Sequence, residues 1–145
     1  MCADALLTDQ YTLTMAQSFW RNGQAEERAS FELFVRRLPV DRGYLIAAGL
    51  GTALEYLRGW RFRDDDLEHL FELGIFDSEF LRYLRDLRFT GDVYAVPEGT
   101  AIGAQAPILR VDAPRVQATI VESVLLSIVN HQTMIATKAA RIVDA

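Results

Sequence analysis

The order of apolar and polar residues divides the chain into segments with different periods. Met15, Ala16, Phe19 and Trp20 line one side of a helix. Thr8 is placed to cap it, Asp9 falls in its first turn where negative charge suits the helix dipole, and Asn22-Gly23 supplies the stop. Phe31, Leu33 and Val35 then alternate with Glu32, Phe34 and Arg36, which predicts a strand with an acid, a ring and a guanidinium along its second face. Leu38-Pro39 ends it, and Asp41-Arg42-Gly43 reads as a turn.

Ile46, Leu50, Leu54 and Leu57 predict a helix from about Tyr44 to Arg58. Gly49 and Gly51 weaken it by about 1 kcal/mol each relative to alanine, so close approach of another backbone is the expected reason for both. Asp64-Asp65-Asp66 opens a short helix carrying Leu67, Leu70 and Phe71, closed by Gly74. Asp77 caps the next, which buries Phe80, Leu81, Leu84 and Leu87. From Gly91 the texture changes to short strands: Val93–Val96, a turn at Pro97-Glu98-Gly99, then Ile108–Val111 between Pro107 and Pro114. From Arg115 a helical pattern runs to the end through Val116, Ile120, Val121, Val124, Leu125, Ile128, Met134, Ile135 and Ala139. Its β-branched residues make it an indifferent helix, so packing must hold it, with a bend or break expected near Asn130.

Composition narrows the possibilities. The chain has 145 residues, enough for one domain that buries roughly 70% of its unfolded surface. Hydrophobic residues make up 50% and the mean hydropathy is +0.07, so part of the surface is expected to face a partner subunit or further chain. A net charge of −5 without a basic run argues against nucleic acid. Cys2 is the single cysteine, which excludes a disulfide framework or thiolate metal site and makes a reducing, cytoplasmic setting the default. The longest uncharged run, Ser123–Thr137, contains Asn130, His131 and Gln132 and is too short and polar to span a bilayer. The N-terminus has no secretory leader pattern, and the last residues still read as helix without a cap, as in a piece of a longer protein.

The chemistry on offer is sparse. Three consecutive aspartates point in three directions on a helix, so Asp64–Asp66 reads as a charged first turn rather than a metal site. His69 falls on a polar helix face. His131, between Asn130 and Gln132, is expected in a cluster that hydrogen bonds to another helix. There is no glycine-rich phosphate loop and no Ser-His-acid set. Two candidates for ligand contact remain: Tyr11 at a helix start and Arg36 on the outer strand face. Lys138 and Arg141, a turn apart, suit either a phosphate contact or a solvated cationic helix end.

Thr8-Asp9-x-Tyr11-x-x-Thr14-Met15-Ala16 is similar to the N-terminal signature of nicotinate phosphoribosyltransferases. The resemblance continues, in order, through Phe31–Pro39, Gly43–Leu50 and Asp86–Thr100. It ends with Glu122, Asn130, Gln132-Thr133 and Ile135–Arg141, so it covers essentially the whole chain. It implies an α+β fold, the hammerhead-like N-terminal domain of a type II phosphoribosyltransferase. That domain would occupy residues 1–145, with the final helix, about 115–145, leading into an α/β barrel that this chain lacks. The family joins nicotinate to 5-phosphoribosyl diphosphate, forming nicotinate mononucleotide in NAD biosynthesis. It uses Mg2+ and is driven by ATP hydrolysis through a phosphohistidine. It works as a cytoplasmic homodimer whose sites borrow residues from the neighbour's N-terminal domain.

By motif, Tyr11 corresponds to the tyrosine that stacks on the pyridine ring across that interface, Arg36 to an arginine near the phosphates, and Asp9 to an adjacent third contact. The resemblance places no catalytic residue and no metal ligand in this chain. Ala104-Gln105-Ala106 departs from the family's bulkier, acidic lead into Pro107. Two rivals stand beside this reading. A quinolinate phosphoribosyltransferase-like enzyme carries arginine after the helix glutamate, whereas here Ser123 follows Glu122. The other rival is a non-catalytic assembly domain.

Overall fold

The computed structural model describes residues 5–40 and 42–143. Cys2, Asp41 of the expected turn, and the last two residues of the expected final helix lie outside the described residues. In chain order the elements are α1 (Gln10–Arg21), β1 (Arg28–Phe34), β2 (Leu45–Ile46), α2 (Leu50–Gly59), α3 (Asp64–Glu72) and α4 (Ser78–Asp86). They are followed by β3 (Asp92–Ala95), β4 (Ala101–Ile102), β5 (Pro107–Pro114) and α5 (Arg115–Val143). The fold is the α+β class expected, helices with short strands, and no closed barrel among the described residues.

The main sheet has the order β1-β5-β3, antiparallel throughout. Along β1, exposed and half-buried residues alternate, as the period-2 pattern requires. Its buried side and that of β5 pack on α5, where Val116, Ile120, Val121, Val124, Leu125 and Val129 are buried. Gly91 leads into β3 under Ala113; a Cβ there would collide with Ala113 and lie 2.9 Å from the Asp112 carbonyl oxygen. The 25–27 connection closes the start of α5. Arg115 N–H donates to the Glu27 carbonyl (2.8 Å), Val116 N–H to that of Ala25 (3.3 Å), and the Arg115 guanidinium lies over the Phe19 ring.

Three sequence expectations need correction. The helix expected from Tyr44 begins only at Leu50; Leu45 and Ile46 form a strand, and residues 47–49 are not helical. Their backbone bonds sideways instead of along a helix. Ala47 exchanges hydrogen bonds with the 99–100 turn, Ile46 N–H donates to the Thr137 hydroxyl (2.8 Å), and Ala48 N–H donates to that of Thr133 (3.2 Å). Gly49 has φ +104, which separates the two conformations. The expected close approach holds for Gly49, whose absent Cβ would sit 3.2 Å from the Ile128 oxygen and Val129 Cα. Gly51 has no atom within 4 Å of such a position.

Second, the final helix is continuous through Asn130, because that side chain is exposed and the helix is pinned on its other side by Thr133 and Thr137. Third, two expected caps act differently. Asp9 occupies the N-cap position of α1, and the Thr8 hydroxyl instead donates to the Ile120 carbonyl (2.9 Å). Asp77 does precede α4, but its carboxylate receives both arms of the Arg21 guanidinium at 2.6 and 2.7 Å. The Asp64–Asp66 triplet opens α3 as expected, with Asp66 accepting from Arg63 N–H (2.8 Å), and Gly74 ends it at φ +66.

Candidate functional site

The start of α1 is fastened on one side and open on the other. Thr12, Leu13 and Ala16 are buried against the rest of the molecule, and α1 packs chiefly on α5. The Thr12 hydroxyl donates to the Asp9 carbonyl (2.7 Å) and lies 2.8 Å from that of Thr8, which is itself tied to Ile120. The Ser123 hydroxyl donates to the Asp9 carboxylate at 2.7 Å. These contacts fix the axial position and roll of the helix. One consequence is that Tyr11 projects outward with 56% of its surface accessible, one helical turn before exposed Met15, while Leu7, also exposed, lies ahead of the helix.

Arg36 is placed by a different device. β1 stays in register with β5 to the Leu33–Leu109 pair, then slips so that Phe34 meets Pro107. Past this bulge, Gln105 takes over as β1's neighbour: its N–H donates to the Val35 carbonyl (2.8 Å) and its side-chain amide to the Arg36 carbonyl (2.7 Å). The Arg36 side chain is exposed and has no ion pair among the described interactions. Between this end of β1 and α5 runs a cleft of about 330 Å³, lined by Leu33, Phe34, Val35, Leu126, Ser127 and Asn130 among others.

Tyr11, Asp9 and Arg36 therefore all stand at the surface, but no described interaction joins Arg36 to the other two. Asp9 and Tyr11 share the α1 start, and Arg36 leaves the sheet edge. Of the polar run in α5, Gln132 makes the interhelical bond, donating to the Thr52 hydroxyl (2.9 Å), while Asn130 and His131 are exposed. His69, Lys138 and Arg141 are also exposed. Among the described residues no group of three or more His, Cys, Asp or Glu is arranged to hold a metal ion. Two positioning contacts escaped sequence reasoning. Ser123 is 114 residues from Asp9, and the only local sign at Gln105 was its unusual loop.

The sequence model of the nicotinate phosphoribosyltransferase (NAPRTase) N-terminal domain matches residues 6–130. This chain belongs to the nicotinate phosphoribosyltransferase family. It is 51% identical to the nicotinate phosphoribosyltransferase of Bacillus subtilis over 139 residues, 95% of this chain and 28% of that protein. A Mycobacterium tuberculosis nicotinate phosphoribosyltransferase is 46% identical over 141 residues, 97% of this chain and 30% of the relative. The crystal structure of human nicotinic acid phosphoribosyltransferase superimposes with a TM-score of 0.86 at 38% identity, over 93% of this chain and 28% of the human one. The nicotinate-nucleotide pyrophosphorylase of Pyrococcus furiosus, at 18% identity and TM-score 0.62, shares the fold. The chain thus spans 28–30% of the length of these three family relatives.

Proposed function

We propose that this chain is the N-terminal domain of a nicotinate phosphoribosyltransferase. The enzyme joins nicotinate to 5-phosphoribosyl diphosphate, giving nicotinate mononucleotide and diphosphate in NAD biosynthesis, with ATP hydrolysis. The observation that carries this reading is the family match over residues 6–130 combined with the outward presentation of Tyr11 from an anchored helix.

An exposed ring on a fixed helix start suits stacking on a planar pyridine, worth about 0.5–1.5 kcal/mol beyond area burial. Tyr11 and Met15, a turn apart on α1, and Leu7 ahead of it are exposed, as a surface offered to a second subunit would be, so the ring is assigned to the partner's site in a homodimer. The Arg36 guanidinium, without an ion pair among the described interactions, suits a phosphate, and Asp9 stands two residues before the ring. Displacement at the ribose anomeric carbon depends on holding both substrates in line and on neutralising the departing diphosphate, and this chain's part in that is positioning and charge.

Mg2+ and ATP belong to the family's reaction, and among the described residues no group of three or more His, Cys, Asp or Glu is arranged to hold a metal ion. Both are assigned to residues outside this chain, as is the phosphohistidine. No helix of the described residues is long and apolar enough to cross a membrane, and a cytoplasmic enzyme is the reading adopted. Ser123 in place of an arginine after Glu122 favours nicotinate over a pyridine dicarboxylate.

The test is to express the full-length protein and assay nicotinate mononucleotide formation with nicotinate and with quinolinate, with and without ATP. Turnover of nicotinate stimulated by ATP is expected. Turnover of quinolinate alone supports the rival enzyme, and none of either supports an assembly role.

A further inference from the structure

Gln105 is an outlier in the described backbone: it is the one described residue other than glycine with a positive φ, +64. A side chain crowds this conformation, so it persists where surrounding contacts hold it. Here they do. Pro107 cannot donate to the ladder, and β1 and β5 slip at that point. The left-handed turn at Gln105 brings its N–H and its side-chain amide together onto consecutive carbonyls, those of Val35 and Arg36. The ladder is in effect continued for two residues by a single residue, and the second of them is Arg36.

We propose that Gln105 is a positioning residue for phosphate recognition, and that its two-point hold on Val35 and Arg36 fixes the direction in which the Arg36 guanidinium leaves the sheet. The inference rests on the assignment of Arg36 to phosphate contact made above. An arginine reads phosphate through a rigid planar fork, so the orientation of its backbone matters more than it would for a lysine. Without the side-chain bond, the Arg36 peptide is tethered only through its neighbour, and binding must supply the ordering that the fold now supplies.

Two variants of the full-length enzyme separate this role from a structural one. Gln105→Glu keeps size and shape but has no side-chain N–H to donate to the Arg36 carbonyl. Gln105→Gly relieves the positive φ and keeps the backbone donor while removing the side-chain bond. Both are expected to raise KM for 5-phosphoribosyl diphosphate about three- to tenfold, the worth of one such hydrogen bond. KM for nicotinate and the melting temperature should stay close to wild type. In an Arg36→Ala background, Gln105→Glu should add nothing further.

An unchanged KM in both Gln105 variants, while Arg36→Ala alone raises it, overturns the inference and leaves the Arg36 assignment standing. An effect of equal size with and without Arg36, or parallel shifts in both KM values and in melting temperature, also overturns it. If Arg36→Ala alone leaves KM for the diphosphate unchanged, the phosphate assignment fails in that single variant, and the inference falls with it.

Discussion

The Ser123 hydroxyl donates a 2.7 Å hydrogen bond to the Asp9 carboxylate, joining the N-cap position of α1 to the third turn of α5. Through this bond the orientation of Tyr11 depends on a residue far away in sequence. Removing it by Ser123→Ala is expected to cost about 0.5–1.5 kcal/mol at most, since the pair is exposed. In the full-length enzyme it should raise the nicotinate KM by about two- to fivefold while KM for the diphosphate holds. Steady-state kinetics with each substrate varied checks this, and a change confined to the diphosphate would count against it.

Tyr11 is the sharper test of the site. Tyr11→Ala removes an exposed ring that supports little of the core, so stability should move by no more than about 0.5 kcal/mol. The nicotinate KM should rise about two- to tenfold from lost stacking alone. Tyr11→Phe keeps the ring and should stay close to wild type. Equal nicotinate KM values for wild type and Tyr11→Ala would remove the stacking role.

Gly49 and Gly51 make an internally controlled pair for stability. Gly49→Ala forces a side chain into φ +104 and against the Ile128–Val129 backbone at 3.2 Å, so it should destabilise by about 2–4 kcal/mol. Gly51→Ala lies in the first turn of α2 with open space around it and should stabilise by up to about 1 kcal/mol. Urea unfolding of the two variants measures both, and opposite signs are expected.

The Arg21–Asp77 contact predicts a pH dependence. Hydrogen bonding from the guanidinium, with attraction between the charges helping and desolvation opposing, holds the Asp77 carboxyl below its ordinary range. A carboxyl whose folded pKa lies below its unfolded one contributes stability above the unfolded value, about 3.9. That contribution is lost as pH falls through the folded pKa. Stability should therefore decline below about pH 4, and Asp77→Asn should show a shallower decline. Asp112, held down by hydrogen bonds from Arg110 and Ser30, keeps part of the dependence in the variant. Denaturant midpoints measured from pH 6 to pH 2 for wild type and Asp77→Asn decide it; superimposable acid limbs would exclude the pair as a contributor.

Much of the fold was legible along the chain because its signals are local. Alternation at Phe31, Leu33 and Val35 marks β1, and the helical spacing of Val116, Ile120 and Val124 marks α5. Where the local signal was ambiguous it misled. Ile46 and Leu50 sit four apart in a helical rhythm, yet Ile46 is in a strand, because Thr133 and Thr137 of α5 and the 99–100 turn supply its segment with sideways hydrogen bonds. Two-residue strands such as β2 and β4 carry too few positions for any period to show.

The candidate site divides the same way. The sequence by itself determined which residues are candidates, a ring at position 11 at a helix start and a guanidinium at position 36 just past a strand, and the family to which the chain belongs. Tertiary structure alone decided how they are held. Ser123 on Asp9, Thr8 on Ile120 and Gln105 on Arg36 are contacts between segments remote in sequence. Such contacts leave no periodic trace, because a single hydroxyl or amide can meet its partner only after the chain has packed.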